Sequence, residues 1–406
     1  MQKISLMKRI CFIVDSIFSI GGVQRVTAVI AKELAKEYDV TILTFDKPEE
    51  KNTELYNLKE ANINYRFFQF PSNRLFKKQI CRLLSGIYVK VQPKAEWCSN
   101  LYAKSSFPSE LRNALAEELR KGKYDVIVGV HAPIAARLAT LRHQLPGVKL
   151  IGWIHNSFEA LFSDTSTYIG IARRRHYIYQ FRKLDETVVL CHHDANSYHH
   201  YDAMMKPTVI YNPLTLQPGR VSEGNSKRFL AVGRFSKKHK GFDLLIEAFQ
   251  LFSQNNTDWK LDIVGEGPEE ELYQLLIRKY QLEERITIHP FTNNIQEYYS
   301  HAQIYVLSSR WEGFGLVLVE AMAHGVPVVS SDLPTSLEIM GDFGLYFNNG
   351  DIEQLAKKLE EATQLEWKEK SKMAIDIARR FDIANIIGQW KELIEKKNET
   401  NDRLHL

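Results

Sequence analysis

The chain has 406 residues, of which 44% are hydrophobic and 25% are charged, and its formal net charge is +4. This length predicts at least two domains, and the composition is that of an ordinary soluble globular protein. No apolar run approaches the roughly 20 residues that span a bilayer, which argues against a transmembrane helix.

The N-terminal residues and the cysteines bear on the cellular compartment. Lys8 and Arg9 precede an apolar run that resembles a signal peptide, but Asp15 interrupts the run and no small-residue cleavage site follows. We therefore expect a buried first strand at Ile10–Val14. The cysteines lack the spacing of metal ligands or of a disulfide framework: Cys11, Cys81, Cys98 and Cys191. This pattern predicts a cytoplasmic protein.

Charge is divided unevenly along the chain. Residues 1–200 contain 29 Lys and Arg against 19 Asp and Glu, whereas the remainder contains 24 against 30. The basic first half is expected to meet an anionic partner. Because no recognition helix, metal finger or aromatic-basic strand motif is present, we do not expect that partner to be nucleic acid.

Apolar runs alternate with amphipathic helical stretches in the first half. Buried strands are predicted at Ile10–Val14, Val40–Phe45, Asp125–Val130 and Leu150–Ile154, and a helix is predicted at Val23–Lys36. Such alternation is typical of a parallel sheet with crossover helices.

Residues 71–107 do not follow this alternation. They mix apolar side chains with cations: Arg74, Lys77, Lys78, Arg82, Lys90 and Lys94. A basic amphipathic stretch of this kind can lie on an anionic membrane surface. An ordinary helical insertion with solvated lysines explains it equally well, and the sequence leaves both interpretations open.

Prolines and glycines among polar residues predict a linker at 205–227. A second strand series follows: Phe229–Val232, Leu261–Val264, Ile286–His289, Ile304–Leu307 and Val326–Val329. We predict two doubly wound α/β domains, at 1–210 and 226–378. A C-terminal helix and tail at 379–406 is expected to pack back on the first domain.

Two features of the first domain lie at the carboxyl ends of predicted strands, where open α/β sheets bind ligands. Gly21 and Gly22 separate the first strand from the first helix, an arrangement that suits phosphate approach, although a tight turn would need them equally. The full three-glycine dinucleotide pattern is absent, which argues against a hydride-transfer cofactor. His155 follows the strand Leu150–Ile154 and is a candidate site residue, with a structural role as the alternative.

The first strand of the second domain ends in a glycine followed by cations. Arg234 follows Gly233, and Lys237, Lys238 and Lys240 come next. Arg234 and Lys240 each adjoin a glycine, which permits close backbone approach, and together they could neutralise a diphosphate. We expect Lys237 and Lys238 to be solvated.

An acidic, glycine-rich segment connects a predicted strand to a predicted helix at Leu316–Ala323. Glu312 lies in the turn and Glu320 lies in the helix. Gly313 and Gly315 let backbone N–H groups approach a ligand where the helix dipole favours an anion. The two carboxylates could accept hydrogen bonds from sugar hydroxyls. A generic loop with a solvated glutamate is the alternative.

The sequence offers no obvious metal site. No Asp-x-Asp pair occurs anywhere, and the histidines of one cluster have no Cys or Asp partner in register: His192, His193, His199 and His200. An enzyme acting on a sugar diphosphate would therefore use Arg and Lys to offset the charge of the leaving group. We predict neither a metal nor a cofactor.

Taken together, these motifs resemble those of the family 4 retaining glycosyltransferases. The resemblance covers both domains and includes Gly21-Gly22, Gly233-Arg234-Phe235 with Lys240-Gly241, Val264-Gly265-Glu266-Gly267, and Glu312-Gly313-Phe314-Gly315 with Glu320. It implies the GT-B fold, in which two Rossmann-like domains face each other across the active-site cleft. It also implies a nucleotide sugar donor, for which a UDP-sugar is the family's commonest form.

The resemblance also implies roles for individual residues. The catalytic group would be His155 near the reacting sugar carbon, Arg234 and Lys240 at the donor diphosphate, and Glu312 at the sugar hydroxyls. The substrate-binding group would be Gly21, Gly22, Gly265, Glu266, Gly267, Phe291, Gly313, Phe314, Gly315, Leu316, Val317 and Glu320, with Glu320 at the ribose. The spacing from Arg234 to Lys240 is one residue longer than the family's commonest form, which leaves Lys238 as an alternative.

The sequence therefore predicts a cytoplasmic, metal-independent retaining glycosyltransferase. Its basic first domain predicts a saccharide acceptor that is lipid-linked, and peripheral docking on the anionic inner face of the membrane, with a soluble acceptor as the alternative. Two other functions fit the same architecture. They are a sugar-nucleotide epimerase, and a nucleotide-sugar sensor without turnover.

Overall fold

The computed structural model describes residues 7–71, 75–166, 168–216 and 218–396. Backbone contacts divide the chain into two compact units. The first comprises Met1–Tyr211 together with Ile386–Leu406, and the second comprises Asn212–Asn385. Of the segment predicted as a C-terminal helix and tail, 379–406, the described residues 386–396 thus group with the first unit.

The first unit is built on a seven-stranded sheet. Its strands are β1 (Arg9–Val14), β2 (Asp39–Thr44), β3 (Ile63–Phe67), β4 (Val126–Val130), β5 (Lys149–Trp153), β6 (Glu186–Val189) and β7 (Thr208–Val209). They lie in the order β3-β2-β1-β4-β5-β6-β7, and neighbours pair in parallel. The helices are α1 (Gly22–Leu34), α2 (Leu75–Val91), α3 (Glu96–Ser106), α4 (Ser109–Gly122), α5 (Ala132–Ala139), α6 (Phe158–Phe162), α7 (Ile171–Phe181) and α8 (His192–Tyr201).

The second unit contains a six-stranded parallel sheet. Its strands are β8 (Arg228–Val232), β9 (Lys260–Val264), β10 (Ile286–His289), β11 (Ile304–Leu307), β12 (Val328–Ser331) and β13 (Leu345–Phe347). Their order is β10-β9-β8-β11-β12-β13. The helices are α9 (Lys237–Lys240), α10 (Phe242–Ser253), α11 (Glu270–Lys279), α12 (Ile295–His301), α13 (Leu316–Ala323), α14 (Pro334–Met340), α15 (Ile352–Thr363), α16 (Trp367–Ala378) and α17 (Ile383–Glu395), the last of which runs into the first unit.

Two doubly wound parallel sheets confirm the predicted fold class. The nine predicted strands are all present, with ends shifted by at most two residues. The sequence analysis missed four strands, β3, β6, β7 and β13. One of them, β7, lies inside the predicted linker at 205–227. It was missed because a strand of only two residues, although it pairs with β6, leaves no periodicity to detect. Among the described residues, no helix combines the length and apolar composition that crossing a membrane requires.

The irregular stretch at 71–107 forms two helices, α2 and α3. The hydroxyls of Ser85 and Ser105 lie 3.0 Å apart, and the rings of Tyr88 and Tyr102 lie 4.5 Å apart, so the two helices pack side by side as a hairpin. Of the cations predicted here, Arg74 lies outside the described residues, as do the side chains of Lys77 and Lys78.

The end of the chain completes the core of the first unit. Trp390, on α17, is fully buried and its ring lies 4.8 Å from that of Trp153 and 6.4 Å from that of Phe12. Lys149, in β5, donates from Nζ to the carbonyl of Lys396 at 2.9 Å, which satisfies a carbonyl left free where α17 ends. The sheet and the last helix therefore depend on each other.

We predict that Trp390→Ala lowers the free energy of unfolding by about 3–5 kcal/mol, because it leaves a cavity among aromatic rings. Trp390→Phe should cost clearly less, since the Nε1 of Trp390 finds no acceptor among the described residues. Trp97→Ala is the matched control, because Trp97 is exposed and should change stability by no more than about 0.5 kcal/mol. Denaturant titration followed by circular dichroism measures the stability of all three variants. Equal effects of Trp390→Ala and Trp97→Ala would contradict the placement of Trp390 in the core of the first unit.

Candidate active site

Two glycines bring the loops after β8 and β9 together at the carboxyl edge of the second sheet. A Cβ at Gly265 would lie 2.0 Å from the carbonyl oxygen of Gly233, and one at Gly267 would lie 2.5 Å from that of Phe235. The amide of Phe235 donates to the carbonyl of Glu266 at 2.8 Å. Any side chain at either glycine would push the loops apart, so Gly265 and Gly267 have a packing role whatever they contact in a ligand.

Lys240 and Glu312, both predicted as catalytic, contact each other directly. Lys240 Nζ lies 2.6 Å from Glu312 Oε1, and Ser309 Oγ donates to the same oxygen at 2.6 Å. The two side chains are only 19% and 12% exposed. An ion pair with so little solvent around it holds both groups in place, and either member can exchange its partner for a ligand of matching charge.

Gly241 explains how Lys240 reaches this position. Its backbone is left-handed, with φ of +61°, and a Cβ there would lie 2.1 Å from the carbonyl oxygen of Ser308 at the end of β11. The stem of Lys240 passes over Gly233, where a Cβ would lie 2.9 Å from its Cε. Gly233 and Gly241 thus permit close contacts within the protein, and the approach of a diphosphate to them stays a prediction.

Arg310 fixes the loop that carries Glu312. Its guanidinium makes two hydrogen bonds of 2.9 Å to the two carboxylate oxygens of Asp243, at the start of α10. Its amide donates to the carbonyl of His239 at 2.6 Å. Sequence reasoning missed this clamp, because the partners are separated by 67 residues.

Arg234 and Lys238 remain exposed at the same edge. Neither makes a hydrogen bond or an ion pair with another described residue. Phe291, which follows β10, is also exposed. Lys240 is therefore the member of the predicted cationic group that is already held beside Glu312.

Gly315 lets α13 begin where the sequence predicts it. Its left-handed backbone, with φ of +85°, ends the turn, and the helix starts at Leu316. Phe314 is buried, with its ring 5.6 Å from that of Phe381. The amides of Leu316 and Val317 belong to the first turn, where N–H groups have no acceptor within the helix. This terminus is suited to an anion.

Glu320 is almost completely buried, at 2% exposure. Tyr299 donates its hydroxyl to Oε2 at 3.0 Å, and Thr215 lies 3.5 Å from Oε1. His324 approaches the carbonyl of Glu320 with Nδ1 at 2.8 Å. Tyr299 and Thr215 thus supply neutral donors to this carboxylate, and each carboxylate oxygen can accept more than one hydrogen bond.

In the first unit, the glycine pair opens α1 as predicted. Gly22 is the first residue of the helix, and the amide of Gly21 donates to the Tyr56 hydroxyl at 2.8 Å. The Tyr56 hydroxyl in turn donates to the carbonyl of Ser19 at 2.9 Å. The amide of Gly21 is thus already satisfied within the protein.

His155 has a close histidine neighbour that the sequence analysis did not single out. His131 follows β4 as His155 follows β5, and their rings lie 5.5 Å apart. His131 has φ of +75°, a strained backbone for a residue with a side chain. The sequence could have indicated this pair, because each histidine follows one of two neighbouring parallel strands.

Burial keeps these histidines uncharged. It lowers the pKa of His155 well below its usual value, and the neighbouring His131 lowers it further. Burial also lowers the pKa of His131, with Asp15 acting in the opposite direction. The Nε2 of His155 has no hydrogen-bond partner among the described residues. A neutral ring with an unused nitrogen can bind a hydroxyl by hydrogen bonding without adding charge.

Comparisons with known proteins cover both units. The model of glycosyltransferase family 4 matches residues 20–217, and the model of group 1 glycosyl transferases matches residues 216–381. The chain belongs to glycosyltransferase family 4. The predicted family is thereby confirmed.

Relatives of this glycosyltransferase occur in several bacteria. It is 26% identical to an uncharacterized glycosyltransferase of Haemophilus influenzae, over 96% of this chain and 100% of the relative. It is 25% identical to the amylovoran biosynthesis glycosyltransferase AmsD of Erwinia amylovora, over 83% of this chain and 85% of the relative.

Solved structures confirm that the fold of this glycosyltransferase is GT-B. Staphylococcus aureus TarM matches with a TM-score of 0.71 at 14% identity, over 96% of this chain and all of TarM. HepE of Anabaena, in a complex with UDP and glucose, matches with a TM-score of 0.70 at 18% identity, over 95% of this chain and 99% of HepE. In the described ranges of the glycosyltransferase, no three His, Cys, Asp or Glu side chains are grouped so that they could hold a metal ion.

We predict that the buried His155 makes stability fall in acid. Above about pH 6.5 the ring is neutral in both the folded and the unfolded chain. Below about pH 6.5, His155 binds a proton in the unfolded chain but stays neutral in the folded protein. The free energy of unfolding therefore decreases as the pH falls toward the lowered pKa of His155. The free energy of unfolding should drop by about 1 kcal/mol or more between pH 7 and pH 5.

His155→Phe keeps a ring and removes the ionisation, so it should show a shallower pH dependence than the wild type. His200→Phe, on an exposed histidine of α8, is the matched control and should leave the slope unchanged. Denaturant titrations across this pH range provide the measurement. Identical slopes for the wild type and His155→Phe would contradict the prediction.

Proposed function

We propose that this glycosyltransferase moves a sugar from a nucleotide diphosphate sugar, a UDP-sugar, to a hydroxyl of a lipid-linked saccharide or glycolipid. The transfer retains the anomeric configuration and needs no metal. The observation that carries this proposal is the ion pair between Lys240 and Glu312 beside the exposed Arg234. One carboxylate and two cations at a strand edge match the hydroxyls and the diphosphate of such a donor.

Donor binding would use these groups in complementary ways. Lys240 would exchange part of its contact with Glu312 for a phosphate oxygen, and Arg234 would add a bidentate contact. Glu312, kept in place by Ser309, would then accept hydrogen bonds from the sugar. The start of α13 would add its amides to the phosphates, and the buried Glu320 would accept from the ribose.

The chemistry follows from what the residues supply. None of the candidate residues is a persuasive covalent nucleophile, so we propose front-face displacement. The bond from the anomeric carbon to the diphosphate oxygen breaks with its electron pair going to the diphosphate. The acceptor oxygen bonds to the same face of that carbon, and its proton passes to the departing phosphate. Lys240 and Arg234 stabilise the charge that develops there.

Relatives support the choice of donor and acceptor. HepE has been solved with UDP-glucose and TarM with UDP, which favours a uridine diphosphate donor. AmsD is named for amylovoran biosynthesis. A Salmonella typhimurium relative, 28% identical over 36% of this chain and 41% of its own length, is a lipopolysaccharide 1,6-galactosyltransferase. An acceptor in cell-surface polysaccharide or glycolipid assembly, met at the cytoplasmic face of the membrane, is consistent with both.

We predict that Arg234→Ala and Lys240→Ala each reduce turnover by at least ~100-fold, because each removes one preorganised charge from the leaving diphosphate. Circular dichroism should show an unchanged fold. Turnover is measured as nucleotide release from a panel of nucleotide sugars, with UDP-sugars tested first. Turnover within a few-fold of the wild type for both variants would refute the diphosphate assignment.

Neighbouring lysines provide the controls. Lys237→Ala removes a solvated cation from the same short helix and should leave turnover within about threefold of the wild type. Lys238→Ala tests whether Lys238, rather than Lys240, contacts the diphosphate. This alternative arises because the spacing from Arg234 to Lys240 is one residue longer than the family's commonest form. A ~100-fold loss at Lys238 with none at Lys240 would transfer the diphosphate contact to Lys238.

We predict that turnover survives excess EDTA, because Arg and Lys rather than a divalent cation offset the charge of the diphosphate. Turnover is compared before and after chelation, and after addition of magnesium or manganese. Loss of turnover on chelation with recovery on metal addition would contradict metal independence.

A further inference from the structure

The α2–α3 hairpin exposes a continuous set of apolar side chains. Leu83, Ile87 and Val91 recur every four residues along α2, which places them on one side of the helix, and Leu84 adjoins them. Trp97 and Leu101 are one turn apart on α3. All six are between 41% and 67% exposed. We call these six side chains the apolar face.

The packing of the hairpin aligns its two helices. Because Ser85 meets Ser105 and Tyr88 meets Tyr102, residues further along α2 lie level with earlier residues of α3. Ile87 therefore lies within about half a helical turn of the level of Leu101, and Val91 within the same offset of Trp97. Isolated exposed apolar residues are common on soluble proteins, but six within one hairpin indicate a surface that another phase or molecule covers.

The opposite side of α2 lines a groove of about 650 Å³. Arg82, Lys90 and Arg173 contribute cations to it, and Ser85 and Ser106 contribute hydroxyls, whereas no Asp or Glu is among its lining residues. Arg82 and Lys90 are exposed and make no ion pair with a described residue. Among the described residues, the oxygens that accept from the Arg173 guanidinium are the neutral ones of Tyr102 and Ile169. We call this the basic groove.

Charge identifies the kind of partner. Residues 75–106 contain six Lys and Arg and a single acid, Glu96, which is paired with Arg182 at 2.7 Å. An apolar stripe that carries a tryptophan, on a hairpin whose cations Arg82 and Lys90 have no acidic partner among the described residues, is the arrangement that stabilises a helix in the headgroup region of an anionic bilayer.

We propose that the α2–α3 hairpin docks this protein on an anionic phospholipid bilayer. The apolar face enters the interface between headgroups and acyl chains, and the cations of the basic groove, on the opposite side of α2, add electrostatic attraction to the anionic surface. The purpose of this docking rests on the proposed function, because a lipid-linked acceptor lies in such a bilayer. Docking itself needs neither donor nor transfer, so it is measured separately.

The test is binding of the purified full-length protein to vesicles of phosphatidylcholine with and without phosphatidylglycerol, followed by flotation. We expect binding only where phosphatidylglycerol is present. The face variant, Ile87→Ser with Val91→Ser and Trp97→Ser, changes exposed side chains and should bind at least about tenfold less well. The groove variant, Arg82→Gln with Lys90→Gln, should also lose about tenfold or more, and its residual binding should depend less on salt.

Matched controls come from the second unit. Leu275→Ser with Leu337→Ser removes apolar side chains that are also exposed, and Lys368→Gln with Lys372→Gln removes two exposed cations. Both should bind within about threefold of the wild type if binding is specific to the hairpin. Quenching of tryptophan fluorescence by brominated lipid gives a direct readout, which Trp97→Phe should reduce.

The proposal is overturned if the wild type does not bind anionic vesicles, or if the face and groove variants bind as well as the controls. Self-association in solution that the face variant abolishes, without vesicle binding, would assign the apolar face to a second copy of the chain and also overturn it. Hydrolysis of the nucleotide sugar without acceptor is measured in parallel. Vesicle binding with neither hydrolysis nor a thermal shift for any nucleotide sugar would leave docking intact and refute the proposed function instead.

Discussion

The double hydrogen bond from Arg310 to Asp243 determines the geometry on which the candidate donor site depends. It joins the loop after β11 to the start of α10, although Arg310 and Asp243 are 67 residues apart in the sequence. Glu312 lies two residues beyond Arg310, and Lys240 lies three residues before Asp243. The clamp therefore brings both members of the ion pair to the same place, and the Ser308 hydroxyl adds a hydrogen bond of 2.9 Å to the carbonyl of Lys240 at the end of α9.

The glycines of this region act together with that clamp. Gly241 and Gly265 each allow one strand end to approach the backbone of the next more closely than any side chain would permit. The carboxyl edge of the second sheet is consequently a continuous backbone surface, with charge added at defined points. Such rigidity matters because stabilisation of a leaving diphosphate requires charges that are in place before the reaction begins.

Long buried strands and special glycines could be predicted from sequence, because each has a strong local pattern. β1, β4 and α13 lie close to their predicted bounds for this reason. β3 escaped because Asn64 and Arg66 break its apolar run, and β7 because it has two residues. The family resemblance assigned Lys240 and Glu312 to one donor without predicting their direct contact, and the clamp at Arg310 was not predicted at all. Pairings between distant residues leave no periodic signal.

The burial of Trp390 has a consequence for the order in which the protein is made. When the ribosome has synthesised the first 385 residues, every strand of both sheets is present, yet the first unit still lacks the indole that fills its core. The second unit, although synthesised later, has all of its residues at that moment. Folding during synthesis usually proceeds from the N-terminus, whereas here the N-terminal unit is the last to close. The core of the first unit therefore cannot close completely until α17 has emerged from the ribosome.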